Sequence, residues 1–186
     1  MMSQNKIKIF ISGSNGFIGN YVKKTLIKNF DLLTPSKKKL NLNKRNILKD
    51  YFNKNKPDVV IHLAASTKFK LKKKDEKQNQ IKNTFNTTKN LVTSINPECK
   101  LIVFFGSIEE YGNIKCPFKE DHHVKPITYY GKYKYKSYLY VLKYLKKKNL
   151  NYIWLRPSLT YGYGDNKERF LGHIINSIKK KKILHY

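Results

Sequence analysis

The sequence has little cysteine, no apolar run of membrane-spanning length and no leader pattern, and each absence excludes a class of protein. The two cysteines, Cys99 and Cys116, have neither C-x-x-C spacing nor a histidine-rich partner set, so we expect no metal site. Two cysteines in 186 residues fit a reducing cytosol. No N-terminal segment has the form of a signal peptide, and no run approaches the length of a membrane span. We therefore expect a soluble, cytoplasmic protein with no membrane partner.

Acidic residues are also scarce: 12 Asp and Glu stand against 39 Lys and Arg, for a net charge of +27. Such a charge suggests a polyanionic partner such as nucleic acid. However, only Arg45, Arg156 and Arg169 are arginine, which phosphate-reading surfaces usually recruit, and the lysines are spread along the whole chain. No nucleic-acid recognition motif accompanies them. Compositional drift in an A/T-rich genome explains the charge better, so we expect no nucleic-acid partner.

The sequence does contain a glycine triplet near its start. The apolar run 7–11 predicts a buried strand, and a helical pattern begins at Phe17. Gly13 lets the chain turn sharply off the strand, and Gly16 removes the side chain where a pyrophosphate must approach the N–H groups of a helix N-terminus. Gly19 lets that helix pack against the sheet. This context favours dinucleotide binding over an ordinary strand–turn–helix.

Strands and helices alternate along the rest of the chain, which predicts an α/β fold with a doubly wound parallel sheet, a Rossmann fold. The length predicts one domain. The polar stretch 106–127 is expected to be irregular and to face a substrate. Strands are predicted at 7–11, 30–34, 59–63, 101–105 and 152–155, with another beginning at 183–184. Helices are predicted at 17–28, 46–53, from the lysine-rich segment 68–77 to about 95, 128–148 and 170–178.

Five short motifs follow one another along the chain. They are SGSNGFIG at 12–19, HLAA at 62–65, GSIEEYG at 106–112, YGKYK at 130–134 and LRPSLTYG at 155–162. In this order they resemble the extended short-chain dehydrogenase/reductase family, which contains nucleotide-sugar epimerases, dehydratases and ketoreductases. Each motif alone is weak, but five in series are strong. The resemblance runs from Ile7 to the last residues.

The resemblance implies a nicotinamide dinucleotide as cofactor. Small side chains at Ala64 and Ala65 are expected to leave room beneath it. Phe17 and Ile18 fit core packing as well as cofactor contact, and His62 is interpreted as a satisfied strand histidine. The expected cofactor-binding residues are Gly13, Asn15, Gly16, Phe17, Ile18, Gly19, Lys37, Asn41, Leu42, Leu63, Ala64, Ala65, Tyr130, Lys134 and Pro157.

Tyr130 and Lys134 are four residues apart on a predicted helix, so their side chains share one face. A free tyrosine has a pKa of about 10, and a neighbouring ammonium with an oxidised nicotinamide favours the phenolate and lowers that value. Tyr130 can then exchange a proton with a substrate oxygen. The resemblance implies that Lys134 also binds the ribose and that Ser107 orients the substrate oxygen. Glu109 is our candidate for an auxiliary acid. A chance match is the alternative, since tyrosine and lysine are abundant, but the Pro126 lead-in and Ser107 favour the catalytic interpretation.

The end of the second predicted strand bears on the form of the dinucleotide. An acidic residue there would bind the ribose 2′-hydroxyl of NAD, but Asp31 stands near the beginning of the strand. The segment 36–39 reads Ser-Lys-Lys-Lys, which suits a 2′-phosphate. We therefore expect NAD or NADP, with NADP slightly favoured and Lys37 as a contact.

Two departures from the family pattern narrow the predicted reaction. Dehydratases of the family carry an Asp-Glu pair after the serine that Ser107 matches, whereas this chain has Ile108-Glu109. Leu159 replaces an asparagine that contacts substrate in many epimerases, which puts a 4-keto-sugar reductase ahead. The predicted function is an NAD(P)-dependent oxidoreductase or epimerase acting on a nucleotide-linked sugar. The alternative is a cofactor-binding module or an inactive truncated family member.

The resemblance also predicts how the chain is organised. Residues 1–168 are expected to form the NAD(P)-binding Rossmann domain. Residues 169–186 are expected to begin a truncated substrate-binding region, because relatives continue into a small carboxyl-terminal domain. Relatives often pair through the helix matching 128–148, which suggests a homodimer, although its tyrosines could equally cover the sheet.

Overall fold

Strands and helices alternate in the described part of the chain, as predicted. The computed structural model describes residues 6–65, 74–167 and 169–179, so the predicted strand at 183–184 lies outside it. No helix within these ranges is both long and apolar enough to cross a membrane. The strands are β1 (Lys8–Ser12), β2 (Asp31–Leu33), β3 (Val59–His62), β4 (Leu101–Phe105) and β5 (Tyr152–Leu155). The helices are α1 (Phe17–Leu26), α2 (Arg45–Asn55), α3 (Lys74–Ser94), α4 (Tyr129–Lys148) and α5 (Phe170–Lys179), with a 3₁₀ helix at Ile108–Glu110.

The strands form one parallel sheet in the order β2-β1-β3-β4-β5. This confirms the predicted doubly wound, Rossmann-type α/β fold. The chain moves to one side of β1 to form β2 and then passes back across β1 to form β3. Open parallel sheets bind ligands outside the carboxyl ends of their strands, where this direction reverses. Here the reversal lies between β1 and β3, where Ser12 pairs in register with His62.

The main core lies between the sheet and helices α2, α3 and α4. Alternate strand residues face this layer, among them Phe10, Val60 and Phe104, and all are essentially buried. The Phe10 ring meets that of Phe52 edge-on, with centroids 5.0 Å apart. Each buried side chain of this size contributes roughly 1.5–3 kcal/mol, so the layer holds the site-bearing helices firmly. The helices contribute Leu48, Phe52, Leu91, Val92, Val141 and Leu145.

The opposite face of the sheet is covered unevenly. Crossovers between parallel strands are right-handed, and the crossover from β1 to β2 runs across the sheet in the direction opposite to the later crossovers. Helix α1 therefore lies on the face opposite to α2, α3 and α4. Near α1, the β1 residues Ile9 and Ile11 are buried. At the far side, the β5 residues Ile153 and Leu155 are 44% and 40% exposed. Among the described residues, β5 is also an edge strand of the sheet.

Candidate functional site

A cavity of about 370 Å³ opens at the carboxyl edge of the sheet, beside the point where β1 and β3 separate. Its walls come from the segments that follow β1, β2 and β3 and from one side of α3. The fold therefore brings together residues that are far apart in sequence. The predicted cofactor-binding residues that line the cavity are Gly13, Asn15, Gly16, Lys37, Asn41, Leu42, Leu63, Ala64 and Ala65.

The glycine loop is shaped by close backbone approaches. Gly13 has φ +76, and a Cβ there would lie 2.7 Å from the Ala64 nitrogen. A Cβ at Gly19 would overlap the Gly13 carbonyl oxygen, so α1 passes directly against the loop. Gly16 precedes α1, donates its N–H to Gly13 O at 2.9 Å and provides no side-chain cap. Uncapped first-turn N–H groups at a helix N-terminus are suited to a phosphate.

A buried hydrogen-bond chain ties β1 to β3 beside the cavity. His62 Nδ1 is 2.7 Å from Ser12 Oγ, and His62 Nε2 is 3.0 Å from Thr88 Oγ1. The Thr88 hydroxyl donates to the Thr84 carbonyl at 3.1 Å, which assigns the ring hydrogen to Nε2. Burial, reinforced by the Lys134 charge, lowers the pKa of His62 to about 3. The imidazole is therefore neutral and satisfied, as expected of a strand histidine.

The segment after β2 forms another wall of the cavity. Pro35, Ser36 and Lys37 line it, together with the stretch 40–43. Asp31 stands at the start of β2 and is not one of the lining residues. The side of the cavity next to β2 therefore presents a hydroxyl and an ammonium, in keeping with the preference for a 2′-phosphate that the sequence indicates.

The predicted catalytic residues gather at the carboxyl end of β4. Lys134 Nζ donates to the Phe105 carbonyl at 2.6 Å and lies 5.7 Å from the centroid of the Tyr130 ring. Ser107 caps the 3₁₀ helix, and its Oγ accepts the Glu109 N–H at 3.2 Å. Glu109 Oε2 in turn accepts the hydroxyl of Thr128 at 2.5 Å. The four predicted residues thus come from two elements that are linked by hydrogen bonds.

The start of α4 fixes the place of Tyr130. Thr128 is the N-cap, and its Oγ1 accepts the Gly131 N–H at 3.0 Å. A Cβ at Gly131 would overlap the Glu109 carbonyl, so α4 touches the 3₁₀ helix at the turn that carries Tyr130. Three lysines in the last turn suit the negative end of the helix dipole.

The pKa of Tyr130 departs from expectation. Burial, reinforced by Glu109 and Glu110, raises it to about 12, and only Arg169 opposes the shift. The expected lowering by Lys134 is therefore not present in this structure. Burial also lowers the pKa of Lys134 to about 8, while Glu110 raises it. Desolvation is the largest cause of both shifts, and a four-residue spacing cannot show how deeply the two groups are buried.

Other predicted cofactor residues lie outside the lining of the cavity. The Phe17 ring packs edge-on against Tyr21, with centroids 5.5 Å apart, and faces Gly162. Pro157 accepts the Ile108 N–H at 3.1 Å beside the 3₁₀ helix. Ile18 and Gly19 belong to α1. Tyr130 and Lys134 belong to α4, where Lys134 contacts the last residue of β4.

The sequence interpretation missed the buried residues beneath the catalytic group. Glu110 is fully buried and accepts hydrogen bonds from Ser107 N, Trp154 and Arg156. A signal for it was present, because Ser107-x-x-Glu110 is the capping-box pattern, and the structure contains that box. Polar residues of the cavity wall, such as Thr84, were missed too, and carried no comparable signal.

The fold and the glycine-lined crevice place the chain among the Rossmann-type α/β proteins. The model of the NAD dependent epimerase/dehydratase family matches residues 9–186. The chain belongs to this family, which agrees with the resemblance drawn from its motifs.

Solved structures share the fold. One is a dTDP-4-dehydrorhamnose reductase from Clostridium acetobutylicum, 29% identical, with a TM-score of 0.75 over 93% of this chain and 60% of that one. Another is a GDP-mannoheptose C4 reductase from Campylobacter jejuni with NADP bound, 23% identical, with a TM-score of 0.81 over 94% and 55%. A UDP-glucose 4-epimerase from Thermotoga maritima is 20% identical, with a TM-score of 0.80 over 96% and 65%. The chain thus spans 55–65% of the length of these proteins.

Proposed function

We propose that the chain binds NAD(P) in the crevice between β1 and β3 and acts in hydride transfer to or from a nucleotide-linked sugar. The observation that carries this proposal is the placement of two sets of residues on neighbouring strands. The glycine-lined crevice lies at the ends of β1 and β3, and Ser107, Tyr130 and Lys134 gather at the end of β4, which pairs with β3. Family membership and the reductases and epimerases of the same fold support it.

The backbone around the glycine loop supports dinucleotide binding. A Cβ at Gly13 would meet the backbone of Ala64, and a Cβ at Gly19 would meet the backbone of the loop, so the loop lies close both to the end of β3 and to the start of α1. Gly13 and Gly16 would hold the pyrophosphate, and Ser36 and Lys37 would hold a 2′-phosphate, which favours NADP. The bound cofactor supplies or accepts the hydride.

The chain's own residues would handle the proton. With a pKa of about 12, the Tyr130 phenol is protonated at neutral pH and suits donation to a ketone oxygen that is becoming an alkoxide. Ser107 Oγ accepts the Glu109 N–H, so its hydroxyl hydrogen can bond the same oxygen. The Lys134 ammonium adds positive charge, and the exposed Glu109 is assigned the auxiliary acid role. These properties favour reduction over oxidation.

The residue at position 159, which the family pattern places next to the substrate, also favours a reductase. Leu159 is 52% exposed and cannot hydrogen-bond a sugar hydroxyl through its side chain. An epimerase must hold its substrate in two orientations, so polar contacts of this kind matter to it. We place reduction of a 4-keto sugar ahead of epimerisation.

The second candidate is a cofactor-binding module without its own catalysis. The coverage of its structural neighbours favours it, because the chain spans only 55–65% of their length. Turnover of any nucleotide sugar by this chain, lost in Tyr130→Phe, would exclude it.

The test begins with calorimetric titration of the chain with NADPH and NADH. We expect binding of at least one form, tighter for NADPH, and then NADPH oxidation in the presence of 4-keto nucleotide sugars. Tyr130→Phe should abolish turnover and leave cofactor affinity nearly unchanged. Unchanged turnover in that variant would refute the role of Tyr130, and binding of neither dinucleotide would refute the function.

The organisation of the chain follows from the same proposal. Residues 1–168 would form the NAD(P)-binding domain, and 169–186 would begin the substrate-binding region. A homodimer would form through α4, on which Tyr129 and Leu139 are 53% and 47% exposed. Tyr138 instead covers the sheet, and its ring centroid lies 5.4 Å from that of Trp154. Sedimentation at several concentrations would test the dimer.

A cytoplasmic location and the absence of a nucleic-acid partner complete the proposal. Cys99 and Cys116 carry free thiols, as suits a reducing compartment. A duplex affinity that falls steeply with salt and discriminates between sequences would contradict the view that the positive charge is compositional.

A further inference from the structure

Glu110 is the most enclosed charged residue described, and one of its contacts is the backbone of the predicted catalytic residue Ser107. Its side chain is 0% exposed. Oε1 accepts the backbone N–H of Ser107 at 2.9 Å, and Oε2 accepts Arg156 Nε at 2.9 Å. Trp154 Nε1 lies 3.2 Å from both carboxylate oxygens. One carboxylate thus joins the segment after β4 to two residues at the end of β5.

The Ser107 backbone is held on both sides of this contact. The Gly106 N–H donates to the Leu155 carbonyl at 2.7 Å, and the Ile108 N–H donates to the Pro157 carbonyl at 3.1 Å. The N–H between them is the one that Glu110 accepts. Three consecutive N–H groups are therefore bonded, which leaves the segment carrying the Ser107 hydroxyl little freedom.

Gly106 is required by this arrangement. A Cβ at Gly106 would overlap both Glu110 Oε1 and Trp154 Nε1. Only a residue without a side chain lets the carboxylate and the indole approach the backbone so closely.

Arg156 extends the arrangement to α4. Its guanidinium lies between two rings, 5.1 Å from the centroid of Tyr111 and 5.2 Å from that of Tyr138. Its planar shape allows it to stack on both rings while it pairs with Glu110, which a lysine could not do. The Glu110 carboxylate is therefore connected, through Arg156, to the helix that carries Tyr130 and Lys134.

Stability alone does not account for the ion pair. Well-packed apolar residues of similar volume are often as stabilising as a buried pair, because desolvation of both charges offsets their attraction. Here the carboxylate accepts the backbone N–H of the predicted catalytic serine, and the predicted catalytic lysine binds the carbonyl of Phe105, two residues before that serine. This points to a role in geometry and charge.

We propose that Glu110 is a positioning residue, whose carboxylate fixes Ser107 through its backbone N–H and supplies negative charge to the 105–107 segment, which also binds the Lys134 ammonium. The effect on turnover that we infer rests on the proposed function, whereas the contacts that Glu110 makes do not depend on it. Among the described residues, the charged or titratable groups that interact with Lys134 are Glu110 from the 3₁₀ helix, Tyr130 from its own helix and the neutral His62 from β3. Of these, Glu110 is the one that opposes the loss of the lysine's proton.

The test compares Glu110→Gln with Glu120→Gln, which makes the same charge change at an exposed residue. Isotope-labelled lysine side chains are titrated by NMR, and Lys134 is assigned by its absence in Lys134→Met. Glu110→Gln should lower the pKa of Lys134 by about half a unit or more and alter the emission of Trp154, the only tryptophan. Glu120→Gln should change neither. An unchanged Lys134 titration in folded Glu110→Gln would overturn the proposal.

A second variant removes the carboxylate without leaving a buried charge. Glu110→Leu combined with Arg156→Met replaces the ion pair with apolar side chains, so it should fold, but it should melt below the wild-type temperature because the Ser107 and Trp154 N–H groups lose their acceptor. We expect turnover at least about tenfold below wild type with unchanged NADPH affinity, because Ser107 is no longer held. Wild-type turnover in this variant would overturn the proposal.

The two proposals fail in different ways. If no nucleotide sugar is turned over, the proposed function fails, while the Lys134 titration and the Trp154 emission still decide the role of Glu110. If turnover is found but Glu110→Gln leaves both readouts and the rate unchanged, only the inference about Glu110 fails.

Discussion

The ammonium of Lys134 donates a hydrogen bond to the carbonyl oxygen of Phe105 at 2.6 Å. This bond joins the second turn of α4 to the last residue of β4. Phe105 directly precedes the Gly106–Ser107 segment, so one hydrogen bond relates the predicted catalytic lysine to the backbone that carries the predicted catalytic serine. A lysine side chain at this position therefore has a structural partner in addition to its predicted role toward the ribose.

Lys134→Met should reduce turnover by about 10²–10⁴-fold, because it removes the cation beside Tyr130 and the donor to Phe105. The melting temperature should change little, since removal of a poorly solvated ammonium offsets the lost hydrogen bond. Steady-state kinetics and thermal unfolding measure the two effects. The exposed Lys132 on the same helix provides the control, and Lys132→Met should behave as wild type. Equal turnover in both variants would contradict the role of Lys134.

Gly13→Ala should weaken NADPH binding more than about tenfold, because the added Cβ would displace Ala64 at the wall of the cavity. Gly164→Ala is the matched control: Gly164 also has positive φ, +85, but a Cβ there meets nothing within 4 Å. Both substitutions carry the backbone strain of a positive φ, roughly 1 kcal/mol. Calorimetry should show lost affinity only for Gly13→Ala. Similar affinities in the two variants would argue against a cofactor at the glycine loop.

Lys37→Ala should lower the affinity for NADPH by about tenfold and leave that for NADH unchanged, because Lys37 lines the side of the cavity expected to hold the 2′-phosphate. Lys38 is exposed and does not line the cavity, so Lys38→Ala removes the same charge from the same segment without the expected effect. Parallel titrations with both dinucleotides measure the discrimination. An equal loss for NADPH and NADH would show that Lys37 does not read the 2′ position.

His62 should make stability fall in weak acid. Its pKa is lowered from the ordinary 6.5 to about 3 in the folded chain, so between these values the unfolded chain binds a proton that the folded chain does not. The free energy of unfolding should fall by about 1.4 kcal/mol per pH unit, or about 2 kcal/mol from pH 6.5 to pH 5. His62→Gln should remove this slope and the exposed His123→Gln should retain it, as urea unfolding at each pH would show.

The fold could be predicted from sequence because its signals are local. The period of the apolar residues set the strands and helices, and β4 and β5 have the predicted boundaries. The glycine triplet predicted the loop between β1 and α1. This loop contains one positive φ and two close backbone approaches, which only glycine accommodates.

The parts that the sequence did not predict depend on contacts between distant segments. The pKa of Tyr130 is raised chiefly by burial, which depends on elements that meet only in the folded chain. In the sequence, Glu110 looks like an ordinary polar residue of an irregular stretch. Its contacts with Trp154 and Arg156 form only when the fold brings β5 beside it. The capping-box spacing pointed to a local contact with Ser107, but not to the pair across the sheet.

The exposed apolar side chains of β5 have a consequence for how the protein behaves in solution. Within the described residues, Ile153 and Leu155 lie on an edge strand, where unpaired backbone groups favour strand-to-strand association of chains. The net charge of +27 opposes such association by mutual repulsion, and dissolved salt weakens that repulsion. The purified chain should therefore be colloidally stable in dilute buffer and scatter light increasingly as ionic strength rises. Lysines that recognise no partner would then still serve the protein by keeping its copies apart.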